Sequence, residues 1–228
     1  MLAGQKGYGL NGLQNFLFPM ENMYITQGSY TATYSHNGCY AMDFDGYLNG
    51  SFVNLCPYYA PFDCHVVAKW GSTSIAVVWQ SDNRVNFIDG TSDYACIQIN
   101  HDNANPSHQI GDHVYQGDLM GHTGTQGTDA DHLHIEAKKG TYEGYHQNSY
   151  GVWMLTNSTW LYDLMGVNDT NLIKTYYVDH NNVRHDYPWE TFFINIPIPT
   201  PTPTGTKKNK YPWFIQYNRN LHKRTRNM

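Results

Sequence analysis

The N-terminal 140 residues are divided into short stretches of β-branched and aromatic residues, each bounded by Gly, Asn or Asp. Such stretches predict strands, because branched and aromatic side chains pack well on a pleated surface while Gly, Asn and Asp favour turns. Only 14% of the residues are charged, and 19 are tyrosines. The sequence therefore predicts a mainly β fold. The predicted strands are 22–27, 40–45, 65–70, 75–80, 84–88, 94–100 and 132–137.

The organisation along the chain is predicted from changes in composition. Residues 1–21 form a lead-in, and residues 22–138 form a compact antiparallel β-sheet domain with a groove over the sheet. Residues 139–195 are rich in Tyr and Asn and are expected to pack on that domain as an extension, with one helix near 159–165. Residues 196–228 combine a Pro/Thr linker, which Pro keeps extended, with a basic aromatic tail. That tail is either a solvated terminus or a docking segment.

The net charge of -5, with histidine neutral, argues against nucleic acid as the main partner. No apolar run is long enough to span a membrane, and the first 16 residues lack the features of a signal peptide. We therefore expect a chain that is not exported by a signal of its own or that is part of a longer polypeptide. Four cysteines without C-x-x-C spacing favour buried free thiols over two disulfides.

The triplet His132-Leu133-His134 is the first candidate for chemistry. In a strand, residues two apart point to the same face, so both imidazoles would enter one site while Leu133 faces the core. A lone H-x-H pattern is a weak signal, and two surface histidines in a strand explain it as well as a metal site does.

A second candidate is the alternating stretch 40–45, in which Asp43 and Asp45 share one face. A buried carboxylate needs a partner, and a metal ion is one such partner. His36 lies just upstream in a turn-like segment. Two histidines and one aspartate suit tetrahedral Zn²⁺, with a fourth position left for water, as in catalytic zinc sites. Asp45 competes with Asp43 for the role of ligand.

These residues belong to a longer series of motifs that resembles the lysostaphin/LytM-type zinc endopeptidases over about residues 22–138. The chain departs from the family pattern in a long gap between His36 and Asp43, in Cys64 at a turn glycine, and in Asp131 before the histidine pair. The motifs, in order, are His36 with Ala41-Met42-Asp43-Phe44, then Ala60-Pro61-Phe62-Asp63-Cys64-His65-Val66, Ile97-Gln98-Ile99-Asn100-His101, the spaced residues Gly111, Val114, Gly117, Gly121, Gly124 and Gly127, and His132-Leu133-His134-Ile135-Glu136.

The resemblance implies one Zn²⁺ per chain, held by His36, Asp43 and His134, with His101 and His132 as catalytic groups. Imidazole titrates near neutral pH, which suits proton transfer. The remaining histidines match no functional position of the family, and pairs such as His108 and His113 are expected to be surface residues and not ligands. These remaining histidines are His65, His108, His113, His122, His146, His180, His185 and His222.

The same resemblance implies a peptide bond of peptidoglycan, in a stem peptide or a cross-bridge, as the substrate. Because the family acts outside the cytoplasm and no export signal is visible, we expect a bacteriophage virion protein of the tail that acts on the host cell wall and contacts other tail proteins. An endolysin or a fragment of a secreted autolysin would also fit. The alternative is a catalytically inactive or glycan-binding structural tail protein that keeps the fold.

Overall fold

The computed structural model describes residues 1–103, 107–168 and 171–192. These residues form a mainly β structure, which confirms the predicted fold class. Each of the seven predicted strands overlaps an observed strand. The predicted linker and basic tail, 196–228, lie outside the described residues, and the predicted domain boundaries stay predictions. Within the described ranges, no helix reaches the length and apolarity that a membrane span requires.

The described residues contain eighteen strands, each two to seven residues long. In chain order they are β1 (Met23–Gln27), β2 (Met42–Phe44), β3 (Tyr47–Leu48), β4 (Ser51–Phe52), β5 (Pro57–Tyr59), β6 (Cys64–Trp70), β7 (Ala76–Ser81), β8 (Val85–Asn86), β9 (Ser92–Asp93), β10 (Ala95–Asn100), β11 (His113–Val114), β12 (Leu119–His122), β13 (Leu133–Lys139), β14 (Tyr145–Gln147), β15 (Trp153–Leu155), β16 (Leu172–Lys174), β17 (Tyr176–Val178) and β18 (Arg184–Asp186).

An eight-stranded sheet in the order β11-β6-β7-β10-β13-β2-β1-β16 is the centre of the structure. Its neighbours are antiparallel except for β1 and β16, which run parallel. The register places Asn100 of β10 opposite His134 of β13, and His134 opposite Asp43 of β2. One row across three neighbouring strands therefore carries three polar side chains on one face of the sheet.

The alternation of side chains along β13 divides the strand between two environments. Leu133 and Ile135 belong to the main hydrophobic core, and each buried side chain of this size contributes about 1.5–3 kcal/mol. Residues His134 and Glu136 point to the other face, because successive side chains in a strand alternate. Glu136 is nevertheless fully buried, so this second face is covered as well.

The hairpin β14–β15, within the predicted extension, covers part of that second face. Leu155 packs in a small buried cluster with Val78 and Cys96 of the sheet. At the tip of the hairpin, Asn148 Nδ2 donates to the backbone oxygens of Asn37, at 2.9 Å, and Gly38, at 3.1 Å. The hairpin is therefore fixed both to the sheet and to the loop between β1 and β2.

The prediction of a helix near 159–165 is wrong, because the structure has only a 3-10 turn there, Leu161–Asp163. Thr159 forms a bridge with Ala137, and Gly166 forms a bridge with Leu17. These two extended pairings leave room for a single turn between them. The prediction of free thiols is confirmed, since all four cysteines are buried and unpaired.

Candidate metal centre

Asp43 and His134 form the base of the candidate site. They are cross-strand partners on β2 and β13, and Asp43 Oδ1 lies 3.0 Å from His134 Nδ1. Directly opposed residues of an antiparallel pair have their Cβ atoms about 4.5–5.5 Å apart, so the strand register alone brings these two side chains into contact.

His36 comes from the loop between β1 and β2 and is fully buried. Its Nδ1 donates to the backbone oxygen of Gly28 at 3.0 Å, which leaves the lone pair of Nε2 free to act as a ligand. This Nε2 lies 3.3 Å from His134 Nδ1 and 3.3 Å from Asp43 Oδ1. The long loop before Asp43 thus brings the predicted histidine back onto the sheet.

The three atoms form a triangle with sides of 3.0 to 3.3 Å. In a tetrahedral zinc site with bonds of about 2.0–2.1 Å, two ligand atoms lie about 3.3 Å apart. Two imidazole nitrogens and one carboxylate oxygen also match the donors that zinc prefers. Within the described part of the chain, His36, Asp43 and His134 are the one group of three or more such side chains that can hold a metal ion.

The electrostatics of the triangle favour a positive charge at its centre. Burial by itself would raise the pKa of Asp43, but His36 and His134 outweigh burial and hold that pKa well below its ordinary value. Burial would likewise lower the pKa of His134, yet Asp43 and Glu136 raise it to about 10. The site therefore keeps a carboxylate ionised and stabilises a cation beside it.

His132 lies on the strand face that the sequence predicted, the face that also carries His134. Its Nε2 is 3.7 Å from Asp43 Oδ2, and its Nδ1 donates to the backbone oxygen of Ala130 at 2.8 Å. That hydrogen bond fixes the tautomer and leaves Nε2 as an acceptor facing the triangle.

His101 follows the end of β10 and adopts a left-handed conformation, with φ of 76°. Its ring lies 4.6 Å from the ring of His132 and 5.7 Å from the ring of His134, centroid to centroid. Its Nδ1 donates to Gln126 O at 2.7 Å. Burial, and then the charge of His134, lower the pKa of His101 to about 4. His101 is therefore a neutral imidazole at neutral pH, with Nε2 as its acceptor.

Glu136 was part of the sequence motif, but no role was predicted for it. Its Oε1 lies 3.6 Å from His134 Nε2 and accepts a hydrogen bond from Gln98 Nε2 at 3.2 Å. Its Oε2 accepts from the backbone N–H of Leu155 at 2.9 Å. The alternation of His132, His134 and Glu136 along one strand was the signal that could have identified it.

A chain of buried polar contacts links Glu136 to the neighbourhood of His101. Gln98 Nε2 also lies 3.3 Å from Asn100 Oδ1, and Asn100 Nδ2 lies 3.4 Å from Ser74 Oγ. Ser74 Oγ in turn lies 3.2 Å from His101 Nδ1. The groups that contact the candidate ligand His134 and the candidate catalytic residue His101 therefore belong to one network.

Asp45, the competing candidate for the metal, does not join the triangle. It is partly buried, and its Oδ1 accepts from Thr26 Oγ1 at 3.2 Å. It lines a cavity of about 440 Å³ over the site. The cavity is lined by Thr26, Gln27, Tyr34, Ser35, Asp43, Asp45, His101, Gly127, Thr128, Ala130, His132 and His134.

Histidines that match no family position make contacts elsewhere. His65 Nδ1 donates to Asp82 Oδ1 at 2.7 Å, and His113 Nε2 also contacts the Asp82 carboxylate. His108 Nε2 donates to the backbone oxygen of Met120 at 2.8 Å. His222 lies outside the described residues.

A phage protein is among the sequence relatives of the chain. No family model matches the chain. The chain is 34% identical over 170 residues to "Morphogenesis protein 1" of Bacillus phage B103, an alignment that covers 74% of this chain and 44% of the relative. The chain thus resembles a phage morphogenesis protein and spans less than half of that protein's length.

Solved structures give weaker similarities. A zinc-containing peptidase from Vibrio cholerae aligns over 58% of this chain and 42% of its own, with 16% identity and a TM-score of 0.38. The catalytic domain of the antimicrobial peptidase lysostaphin from Staphylococcus simulans aligns over 61% of this chain and 83% of its own, with 19% identity and a TM-score of 0.31.

Proposed function

We propose that this chain is a zinc-dependent endopeptidase that hydrolyses peptide bonds in the stem peptides or cross-bridges of peptidoglycan. The observation that carries the proposal is the triangle of His36 Nε2, Asp43 Oδ1 and His134 Nδ1, with sides of 3.0 to 3.3 Å. Peptidoglycan as the substrate rests on the resemblance of the sequence motifs to the lysostaphin/LytM-type endopeptidases.

His36, Asp43 and His134 would hold one Zn²⁺, which when bound lowers the pKa of water towards neutrality and polarises a carbonyl group. The protein's own part is proton transfer. His132 and His101 each donate Nδ1–H to a backbone oxygen, so each keeps Nε2 ready to accept a proton. The proton leaves the attacking water, is held on one of these imidazoles and passes to the nitrogen of the departing amine.

The biological setting is proposed from the sequence relative. A relative that is a morphogenesis protein of a Bacillus phage supports a protein of the virion, at the phage tail, that penetrates the host cell wall locally. Other tail proteins would then be its partners. The competing function is a structural tail protein that binds glycans and cleaves nothing.

The test is digestion of purified cell walls from several bacterial types, with mass spectrometry of the released products and measurement of zinc content. The unchanged chain is expected to contain one zinc ion and to release peptides with new termini. His134→Ala should lose both properties, whereas His146→Ala, at an exposed position away from the site, should keep both. Wall binding that survives chelation without released peptides would support the structural alternative and reject the enzyme.

A further inference from the structure

The cavity over the metal centre has an unbalanced set of charges. Its ionisable lining consists of two carboxylates, Asp43 and Asp45, three imidazoles and the phenol of Tyr34, and neither Lys nor Arg contributes to the described lining. Asp43 is engaged by His36 and His134. Asp45 is therefore the acidic group of the lining that the metal triangle does not use.

The described contact of the Asp45 carboxylate is with a neutral group, the hydroxyl of Thr26 at 3.2 Å. Lys174, on the strand that pairs with β1, lies over the rings of Tyr24 and Tyr176, 4.9 and 5.2 Å from their centroids. Among the described residues no Lys or Arg forms an ion pair with Asp45, and a partly buried carboxylate without such a partner is costly. Such a group is stabilised when a ligand supplies the positive charge.

Asp45 also stands at a defined separation from the reaction centre. It lies two residues after Asp43, and two residues of extended chain span about 7 Å. Asp45 lines the same cavity as Asp43, His132 and His134, so a substrate held at the reaction centre has its neighbouring residue within reach of Asp45. The rim beside it is polar, because Gln27 Nε2 donates to Ser35 Oγ at 2.8 Å, and Tyr34 is exposed.

We infer that Asp45 selects substrates that carry a primary ammonium group next to the scissile bond, with the Asp45 carboxylate as the partner of that ammonium. The inference rests on the proposed peptidase function and names a substrate class for it. The ammonium can belong to a diamino-acid side chain or to a free N-terminus, and both offer the same N–H donors and positive charge. Asp45 is therefore a specificity-determining residue, distinct from the five residues of the reaction centre.

The experiment compares two matched substrates: soluble peptide fragments released from purified cell walls, and the same fragments acetylated on their amino groups. The unchanged chain is expected to favour the free amine about tenfold in kcat/KM, as a charge-assisted hydrogen bond allows. Asp45→Asn should bring that ratio close to one, mainly by raising KM for the free amine. Its zinc content and its rate on the acetylated fragments should stay unchanged. Asp129→Asn, an exposed acid in the neighbouring loop, is the matched control and should keep the tenfold preference.

Three results would overturn the inference: an unchanged ratio in Asp45→Asn, an equal loss on both substrates, or loss of zinc from that variant. The last two would make Asp45 a structural or charge-balancing residue. Binding of the same two fragments, measured by calorimetry without turnover, tests the role of Asp45 independently of the proposed peptidase activity. If the unchanged chain cleaves neither fragment, the peptidase proposal fails, and a preference for the free amine in binding that Asp45→Asn abolishes would still support the inference.

Discussion

Asp43 and His134 are directly opposed on neighbouring strands, and Asp43 Oδ1 lies 3.0 Å from His134 Nδ1. The hydrogen-bond register of β2 and β13 therefore determines the geometry of the candidate metal centre. Because a shift of one residue in either strand would turn the side chain to the opposite face, the sheet itself keeps this pair together.

Asp43→Asn is expected to abolish stable zinc binding, because it removes the charge that stabilises the cation and leaves one amide oxygen. The zinc affinity should fall by more than the roughly 10- to 100-fold that is typical when a residue that only hydrogen-bonds to a metal ligand is changed. Competition with a chromophoric chelator measures this. Asp45→Asn is the control and should bind zinc normally; equal losses in the two variants would mean that the ligand is misassigned.

His132→Gln is expected to retain zinc and to lower kcat by roughly 10²- to 10⁴-fold, the usual contribution of a general acid or base. His101→Gln should behave in the same way, because its ring also lies beside the triangle without joining it. Zinc content and rates on wall fragments are measured together. Loss of zinc from the His132 variant would instead make His132 a ligand.

Glu136→Gln is expected to weaken zinc binding by about 10- to 100-fold while the fold is kept. The amide can accept from only one side, so either His134 or the Leu155 N–H loses its acceptor. Glu21→Gln, which changes an exposed carboxylate away from β13, is the control. In the cobalt-substituted variant, a changed visible spectrum would show altered ligand geometry. A spectrum and a zinc affinity identical to those of the unchanged chain would mean that Glu136 does not support the site.

Removal of zinc by a chelator is expected to lower the melting temperature. At free zinc about 1,000-fold above Kd, binding stabilises the folded state by about 4 kcal/mol, which corresponds to roughly 8–16 °C for a chain of this size. His134→Ala should melt at the same temperature with and without the chelator. A matching decrease in that variant would show that the chelator acts elsewhere.

The buried thiols should make the protein less stable above pH 9. Burial raises the pKa of Cys96 from 9.0 to about 12, so the folded state keeps this proton while the unfolded chain releases it. Stability is therefore unaffected below pH 9 and is lost between pH 9 and 12, by about 1.4 kcal/mol per pH unit for one such thiol. Denaturant titrations at pH 8 and pH 10 measure the effect, and Cys96→Ala should show a smaller decrease.

Labelling with a thiol reagent at pH 8 provides an independent check. Burial also raises the pKa of Cys56, to about 11, and the thiolate is the reactive form. Folded protein should react slowly at all four cysteines, and unfolded protein at once. Rapid labelling of the folded chain would contradict the buried placement of these thiols.

The strands could be predicted from the sequence because their signals are local, whereas the five site residues were implied as a set only by the family resemblance. Alternation along β13 placed His132 and His134 on one face, and alternation around Asp43 placed Asp43 and Asp45 on one face without choosing between them. The structure brings all five residues together.

The sequence could not predict features that depend on contacts distant along the chain. The parallel pairing of β16 with β1 and the hydrogen bond from Leu155 to Glu136 join segments that no local pattern relates. The prediction of a helix near 159–165 was wrong for the same reason. Bridges from Thr159 to Ala137 and from Gly166 to Leu17 outweigh the local helix propensity there.

The hairpin β14–β15 determines how far the chain can be shortened. A chain cut after Lys138 would retain all five residues of the site, yet it would uncover Val78 and Cys96. It would also lose the Leu155 N–H that Glu136 accepts and the Asn148 amide that holds the loop carrying His36. We therefore expect the smallest portion that keeps the candidate metal centre intact to extend through the hairpin, well beyond Glu136, the last residue of the sequence motif.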